Sequence, residues 1–299
     1  MTNGSADESA GGLNFYNYLN VVAYVANLFF VNIIMLFDKV DLKSNADVSA
    51  KYQTIVTPVG WAFSIWGIIF AAQALFTVVQ LLPTFRSLPQ VQQGVKYWYA
   101  LVSAFQIVWT FVFACEMIWI SCVVMVFILS SLCALLQSQS RAASDNTRKE
   151  FWLLRFPFQI HAGWIIAATV VNINLVLVAS DVSPVIQAMV AALSLVAILC
   201  IALSALVFPT STNVVIPVTL AWGAGGIWAE LNAPKQSILD KFSNHTINVF
   251  KIGAACICLI LLFAVLIKVI SDWREKRHEI GRENEEGVHL AADLEDAYT

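Results

Sequence analysis

Apolar residues in this chain gather into eight runs separated by short polar stretches. The runs cover about Tyr18 to Phe37, Val59 to Leu82, Tyr97 to Cys115, Met117 to Leu136, Phe156 to Ala179, Pro184 to Phe208, Val214 to Ala229 and Ile247 to Ile270. A helix rises 1.5 Å per residue, so runs of roughly 18 or more are what it takes to cross a hydrocarbon core of about 30 Å. The runs do not alternate apolar with polar, which a lipid-facing β-strand would require. The pattern therefore predicts an all-α polytopic membrane protein with about eight transmembrane helices. The stretches between runs are too short to hold a separate soluble domain.

Composition agrees: 59% of the 299 residues are hydrophobic and 12% are charged, about half the charged share of an ordinary soluble domain. Lys and Arg set the orientation, since cytoplasmic loops are enriched in both. With eight spans, both termini share a side with Arg86, Lys96, Arg141, Arg148, Lys149, Arg155, Lys268, Arg274, Lys276, Arg277 and Arg282. The opposite side carries Lys39, Lys43, Lys51, Lys235, Lys241 and Lys251. This split places both termini in the cytoplasm. It puts the sequon Asn244-His245-Thr246 on the lumenal or outer side, which makes Asn244 a glycosylation candidate.

Residues 1–17 are polar and acidic, without Lys or Arg, and read as a disordered segment that is neither a secretory signal nor a transit peptide. The first run is then the targeting signal. Residues 271–299 read as a charged cytoplasmic tail, basic beside the last run and acidic beyond it. The cysteines, Cys115, Cys122, Cys133, Cys200, Cys256 and Cys258, lie in or at the edge of apolar runs with no C-x-x-C pair, and read as small hydrophobes. Nothing in the charge pattern points to nucleic acid.

Polar and aromatic groups within lipid are costly unless they face protein or a cavity, so they are the candidates for function. The second run opens with Pro58, Trp61 and Trp66. The third pairs Gln106 with Trp109 at i, i+3. In the fifth, His161, Trp164, Ala168 and Asn172 fall at i, i+3, i+7 and i+11, one stripe along a helix. A titratable ring, an indole, a small residue and an amide suit the wall of a pocket for a flat apolar ligand with a few polar atoms. The same amides also suit hydrogen bonding from helix to helix, and composition alone leaves both readings open. In the seventh run, Pro217 and the small residues around Trp222 favour close helix packing.

Several of these segments resemble the translocator protein family, also called tryptophan-rich sensory or peripheral benzodiazepine receptor proteins. They are Trp61 to Phe70, the Gln106/Trp109 stretch, and Phe156-Pro157-Phe158 followed by Trp164 to Asn172. The resemblance covers 18–179 and implies a five-helix bundle there, with 180–270 forming three additional transmembrane helices. It further implies a cavity that binds tetrapyrroles, sterols or similar planar lipophiles. Carried over, Trp61, Trp66, Gln106, Trp109, Trp164, Ala168 and Asn172 would line that cavity, and the loop Asp38 to Pro58 would be its lid. Members of the family have been proposed as transporters, sensors and porphyrin-degrading enzymes.

These readings converge on a membrane receptor or carrier whose partners are the bilayer and a planar lipophilic small molecule, with a homodimer left open. No cofactor or metal is implied beyond a tetrapyrrole or sterol bound as ligand. Secondary transport of a small solute is an alternative, although no carboxylate stands near the midplane to couple it. A porphyrin-degrading membrane enzyme is another. The chain holds no H-E-x-x-H, nucleophile elbow or Cys/His cluster to support an enzyme independently.

Overall fold

A computed structural model describes residues 12–36, 43–207 and 213–297. Among these the structure is helical and contains no strand. The long helices are α1 (Phe15–Leu36), α3 (Ile65–Val79), α4 (Trp98–Ala114), α5 (Ile118–Arg141), α7 (Phe156–Ala179), α8 (Pro184–Val207), α9 (Val215–Glu230) and α11 (Asn244–Ala297). Between them lie the short helices α2 (Asn45–Lys51), α6 (Arg148–Glu150) and α10 (Gln236–Leu239). A 3-10 turn, Gly60–Ser64, feeds α3, and wide π-helical turns cover Gln90–Val95 and Phe151–Arg155.

Among the described residues, five continuous helical stretches are long and apolar enough to cross a membrane: Gly60–Val79, Ile118–Arg141, Arg148–Ala179, Pro184–Val207 and Asn244–Glu275. The apolar stretch Trp98–Ala114 is shorter. The eight apolar runs thus all become helices, and five of those helices meet the spanning length outright. Helix α1 is diluted by Asn17, Asn20, Asn27 and Asn32.

Tight reversals hold the helices antiparallel. Between α4 and α5, Glu116 takes φ 57°, a left-handed conformation in which Glu116 and Met117 donate backbone bonds to the carbonyls of Phe113 (2.9 Å) and Val112 (2.9 Å). Asp181 does the same after α7 at φ 50°. Glycine is the usual residue at such helix ends; here two acidic residues accept the strain.

Helix α7 is the hub, packed against α3, α5, α8 and α9. Of its apolar window, 72% is buried inside the protein, against 17% to 44% in the other four spanning stretches, so α7 is the interior helix and the others lie at the outside of the bundle. Its start is unstrained: Pro157 sits in the first turn, where its missing N–H takes no helical bond away.

Small residues bring α9 onto the hub and onto the entry to α3. A Cβ on Gly163 would lie 2.8 Å from the Thr219 Cβ. A Cβ on Gly226 would lie 2.8 Å from the Ala62 Cβ and 3.0 Å from the Pro58 Cβ. One buried cluster runs from Ile55, Ile69 and Trp164 through Ala191, Ala224 and Leu261, so helices on both sides of Ala179 share a core. Pro217 lies in the first turn of α9 and introduces no break.

The charged tail expected from Ser271 continues α11 as helix to Ala297, with the Arg277 guanidinium 4.3 Å from the Trp273 ring centroid. Of the N-terminal segment expected to be disordered, residues 1–11 lie outside the described residues, and α1 begins at Phe15. The proposed lid is described only from Lys43, and the sixth run only to Val207.

Candidate functional site

The polar stripe of α7 divides between two sets of neighbours. At His161, which is fully buried, Nδ1 lies 2.9 Å from Gln73 Nε2 on α3. The Tyr99 hydroxyl on α4 donates to Gln73 Oε1 at 3.3 Å. The edge of Trp66 packs on the imidazole with centroids 5.7 Å apart. One turn on, the Trp164 indole meets Phe63 edge to face at 5.5 Å and is 2% exposed. Trp164 is therefore enclosed by protein side chains.

Nearer the other end, Asn172 ties α7 to α4 and α5. Its Oδ1 accepts from Trp109 Nε1 at 3.4 Å and lies 3.5 Å from Ser121 Oγ, whose proton goes to the Ile118 carbonyl at 2.8 Å, while its Nδ2 donates to the Ala168 carbonyl at 2.9 Å. Trp109 stacks on Phe113 at 4.7 Å. Ala168, one turn before Asn172, is partly buried against the core. Trp66, His161, Trp164, Ala168, Asn172 and Trp109 thus follow one face of the hub helix, from an imidazole to an amide.

Two other residues of the sequence reading stand apart from that face. Gln106 is buried on α4, but its Oε1 meets no hydrogen-bond partner among the described residues. Trp61 is half exposed and turns toward α9, its ring 4.8 Å from that of Trp222, whose Nε1 donates to the Ala62 carbonyl at 2.9 Å. Sequence reasoning missed Gln73, Tyr99, Phe63 and Ser121. Gln73 had a signal: it is an amide within an otherwise apolar stretch.

The segment from Lys43 to Pro58 is inserted more deeply than a lid. Gln53, Thr54, Ile55, Val56 and Thr57 are all buried. The Thr54 and Thr57 hydroxyls share a hydrogen bond at 2.8 Å, and the Thr54 N–H donates to Thr57 Oγ1 at 3.2 Å, which folds the polar chain back on itself where it enters the core. Two carboxylates clamp the segment. Glu116 pairs with Lys43 and Lys51 and accepts from the Tyr52 hydroxyl at 2.8 Å. Glu230 accepts from Gln53 Nε2 at 3.2 Å, and Lys235 donates to Gln53 Oε1 at 2.9 Å.

Hydrogen bonds from Lys43, then Lys51 and Tyr52, hold the Glu116 carboxyl at about 2, against an ordinary value of 4.5. The same bond to Glu116 pushes Lys51 up. A carboxyl depressed by folding stabilises the fold fully above its ordinary value and loses that contribution as pH falls toward its folded one. The clamp is thus expected to weaken between about pH 4.5 and pH 2, and Glu116→Gln should abolish that acid step. Limited proteolysis at Lys43 and Lys51 measures this: cleavage should rise on acidification in the unaltered protein and be high at every pH in Glu116→Gln. Equal protection of the two proteins at pH 7 would count against the clamp.

No group of three or more His, Cys, Asp or Glu side chains converges at metal-binding range among the described residues. Asn244 is exposed at the start of α11, where the Ser243 hydroxyl caps the Thr246 N–H at 3.1 Å.

Comparison with known proteins finds no match among curated proteins and none among solved structures. The model of the TSPO-like protein family, however, matches residues 17–267, from the first helix well into α11 and not merely the 18–179 over which the segments above resemble it. With most of its length matched and its apolar helices packed around one polar-striped hub, this chain belongs to the TSPO-like family of integral, multi-pass membrane proteins.

Proposed function

We propose that this protein is a membrane receptor or carrier for a planar hydrophobic molecule of the tetrapyrrole or sterol class, held along the face of α7. The observation that carries this reading is the link from Trp109 through Asn172 to Ser121, beside Ala168. It sets an indole directly against an amide, with a small residue one turn from the amide on the same helix, at the junction of three helices. An indole offers a stacking surface and an amide fixes polar substituents, the combination by which apolar pockets acquire orientation. Trp66 and His161 extend the same face toward α3. Family membership supports the class of protein, and the choice of ligand rests on the chemistry of this face.

In this reading all eight long helices span the bilayer, the first five form the translocator-like bundle, and α8, α9 and α11 are additional spans. Both termini then lie in the cytoplasm and Asn244 on the opposite side. Protease access to a tag at each terminus checks the arrangement, and opposite sidedness of the two tags would mean an odd number of spans.

Titration of purified protein with protoporphyrin and with cholesterol, followed by tryptophan quenching, tests the ligand class. Ala168→Phe should fill the space beside Asn172 and weaken the bound probe at least tenfold, about 1.4 kcal/mol. Trp109→Phe keeps a ring but loses the N–H bound to Asn172, and should change the preference between the two probes more than the stability. Unchanged binding in both variants would leave the face as helix packing.

A further inference from the structure

The seam where α1 meets α3 and α4 is lined with amides and hydroxyls that the planar-ligand reading leaves unused. On α1, Asn17, Asn20 and Asn27 are at most 1% exposed, at i, i+3 and i+10. On α4, Tyr99, Ser103 and Gln106 follow at i, i+4 and i+7, and Gln73 on α3 and Gln80 at its C-terminal cap stand at i, i+7, all of them buried. At one end the amides bond to one another, with Asn20 Oδ1 left without a partner among the described residues. Asn17 Nδ2 donates to the Gln80 carbonyl at 3.0 Å, Gln80 Nε2 returns to the Asn17 carbonyl at 2.8 Å, and Asn20 Nδ2 donates to Gln80 Oε1 at 3.3 Å.

Deeper in the bundle that bonding fails. Neither Oδ1 nor Nδ2 of Asn27, nor Gln106 Oε1, nor His161 Nε2 finds a hydrogen-bond partner among the described residues. These atoms lie at related depths. Gln92 Nε2, just ahead of α4, donates to Asn17 Oδ1 at 3.3 Å, while Phe30 and Phe111 touch at 6.0 Å, so α1 and α4 run parallel and in register. Asn27 stands three residues before Phe30 and Gln106 five before Phe111, which at 1.5 Å per residue puts them within about 3 Å of the same level. Two turns below Gln106, Tyr99 bonds through Gln73 to His161.

A buried polar atom without a partner forfeits the hydration it would have in water, and several on adjoining helices would offset much of the packing of this seam. Backbone carbonyls are committed to the helices, and Ser103 Oγ and Asn20 Oδ1 in the same seam find no partner among the described residues either. Water is the smallest group that both donates and accepts, and buried waters bridge two to four polar atoms in this way. We propose that the α1–α3–α4 seam is a hydration site that holds a file of bound water from the Asn17–Gln80 end toward His161, where it meets the tryptophan-bearing face of α7. A planar lipophile would leave the same amide atoms unsatisfied.

Radiolytic labelling of the unaltered protein in ¹⁸O water tests this directly, because radicals generated from bound water mark the side chains beside it. Tyr99 should take up ¹⁸O several-fold more than Phe113, a comparably buried ring on the same helix that packs instead with Val48, Ile118, Leu175 and Val176. Ser103→Cys should react with a small water-soluble thiol reagent on the order of tenfold faster than Val102→Cys, whose neighbours are apolar, because the thiolate forms only where it is solvated. Equal ¹⁸O uptake at Tyr99 and Phe113 overturns the proposal, whether or not the cysteine variants fold.

Discussion

Trp164→Ala is expected to destabilise the protein by about 3 kcal/mol with no ligand present, the low end of the 3–5 kcal/mol typical of buried Trp or Phe truncation. The indole is 2% exposed and closes edge-on against Phe63 at 5.5 Å within the main buried cluster, so its removal leaves a void in close-packed surroundings. The lower end of the range applies because an unfolded helix in lipid still keeps its indole in apolar surroundings. What is lost is packing: dispersion contacts and one aromatic pair, the latter about 0.5 to 1.5 kcal/mol. Denaturant unfolding of the purified protein in bicelles measures it. A loss under about 1 kcal/mol would mean that Trp164 borders open space instead of packing. The expected size of the effect also makes Trp164→Ala a poor probe of binding, which is why Ala168→Phe and Trp109→Phe carry the ligand test.

Much of the architecture was legible in the order of apolar runs. The fifth run, Phe156 to Ala179, coincides with α7, because Pro157 and the change of direction at Asp181 mark its two ends locally. The stripe on α7 was legible for the same reason: residues at i, i+3, i+7 and i+11 share a face whatever surrounds the helix. What faces the stripe was not. Gln73 and Ser121 meet it from two other helices, Tyr99 backs Gln73 from a third, and no local spacing reports which helix lies beside which.

Two features escaped for reasons of chemistry. Gln53 to Thr57 reads as a polar loop because its hydrogen bonds are invisible in sequence; once the two threonine hydroxyls bond to each other and Gln53 bridges Glu230 and Lys235, the segment can be buried. Trp61 resembles a pocket residue because it shares a proline-rich entry with Trp66. Its 3-10 turn rotates it toward Trp222, and a change of helical period over one turn is enough to do so.

Truncation after Ala179 should give a fragment that inserts but does not hold its native packing, because α9 supplies backbone partners that lipid cannot. The Val59 N–H donates to the Gly226 carbonyl at 3.1 Å, and the Ala62 carbonyl accepts from Trp222 at 2.9 Å. In hydrocarbon an unsatisfied backbone group costs several kcal/mol, so the entry to α3 would loosen when both partners leave. Glu230 and Lys235 leave as well, and the clamp on Gln53 leaves with them. Cleavage at Lys51 should therefore become rapid in the fragment, although Glu116 still holds that lysine from within it. Gly226→Val reproduces the effect without deleting a helix: its Cβ would stand 2.8 Å from that of Ala62 and 3.0 Å from that of Pro58, closer than real side chains approach. Such overpacking typically costs about 1 to 3 kcal/mol, and here it also stretches the Val59 bond. A fragment ending at Ala179 with native thermal stability and an uncut Lys51 would show that the helices before Ala179 fold as an independent unit and that the shared core contributes little to holding them together.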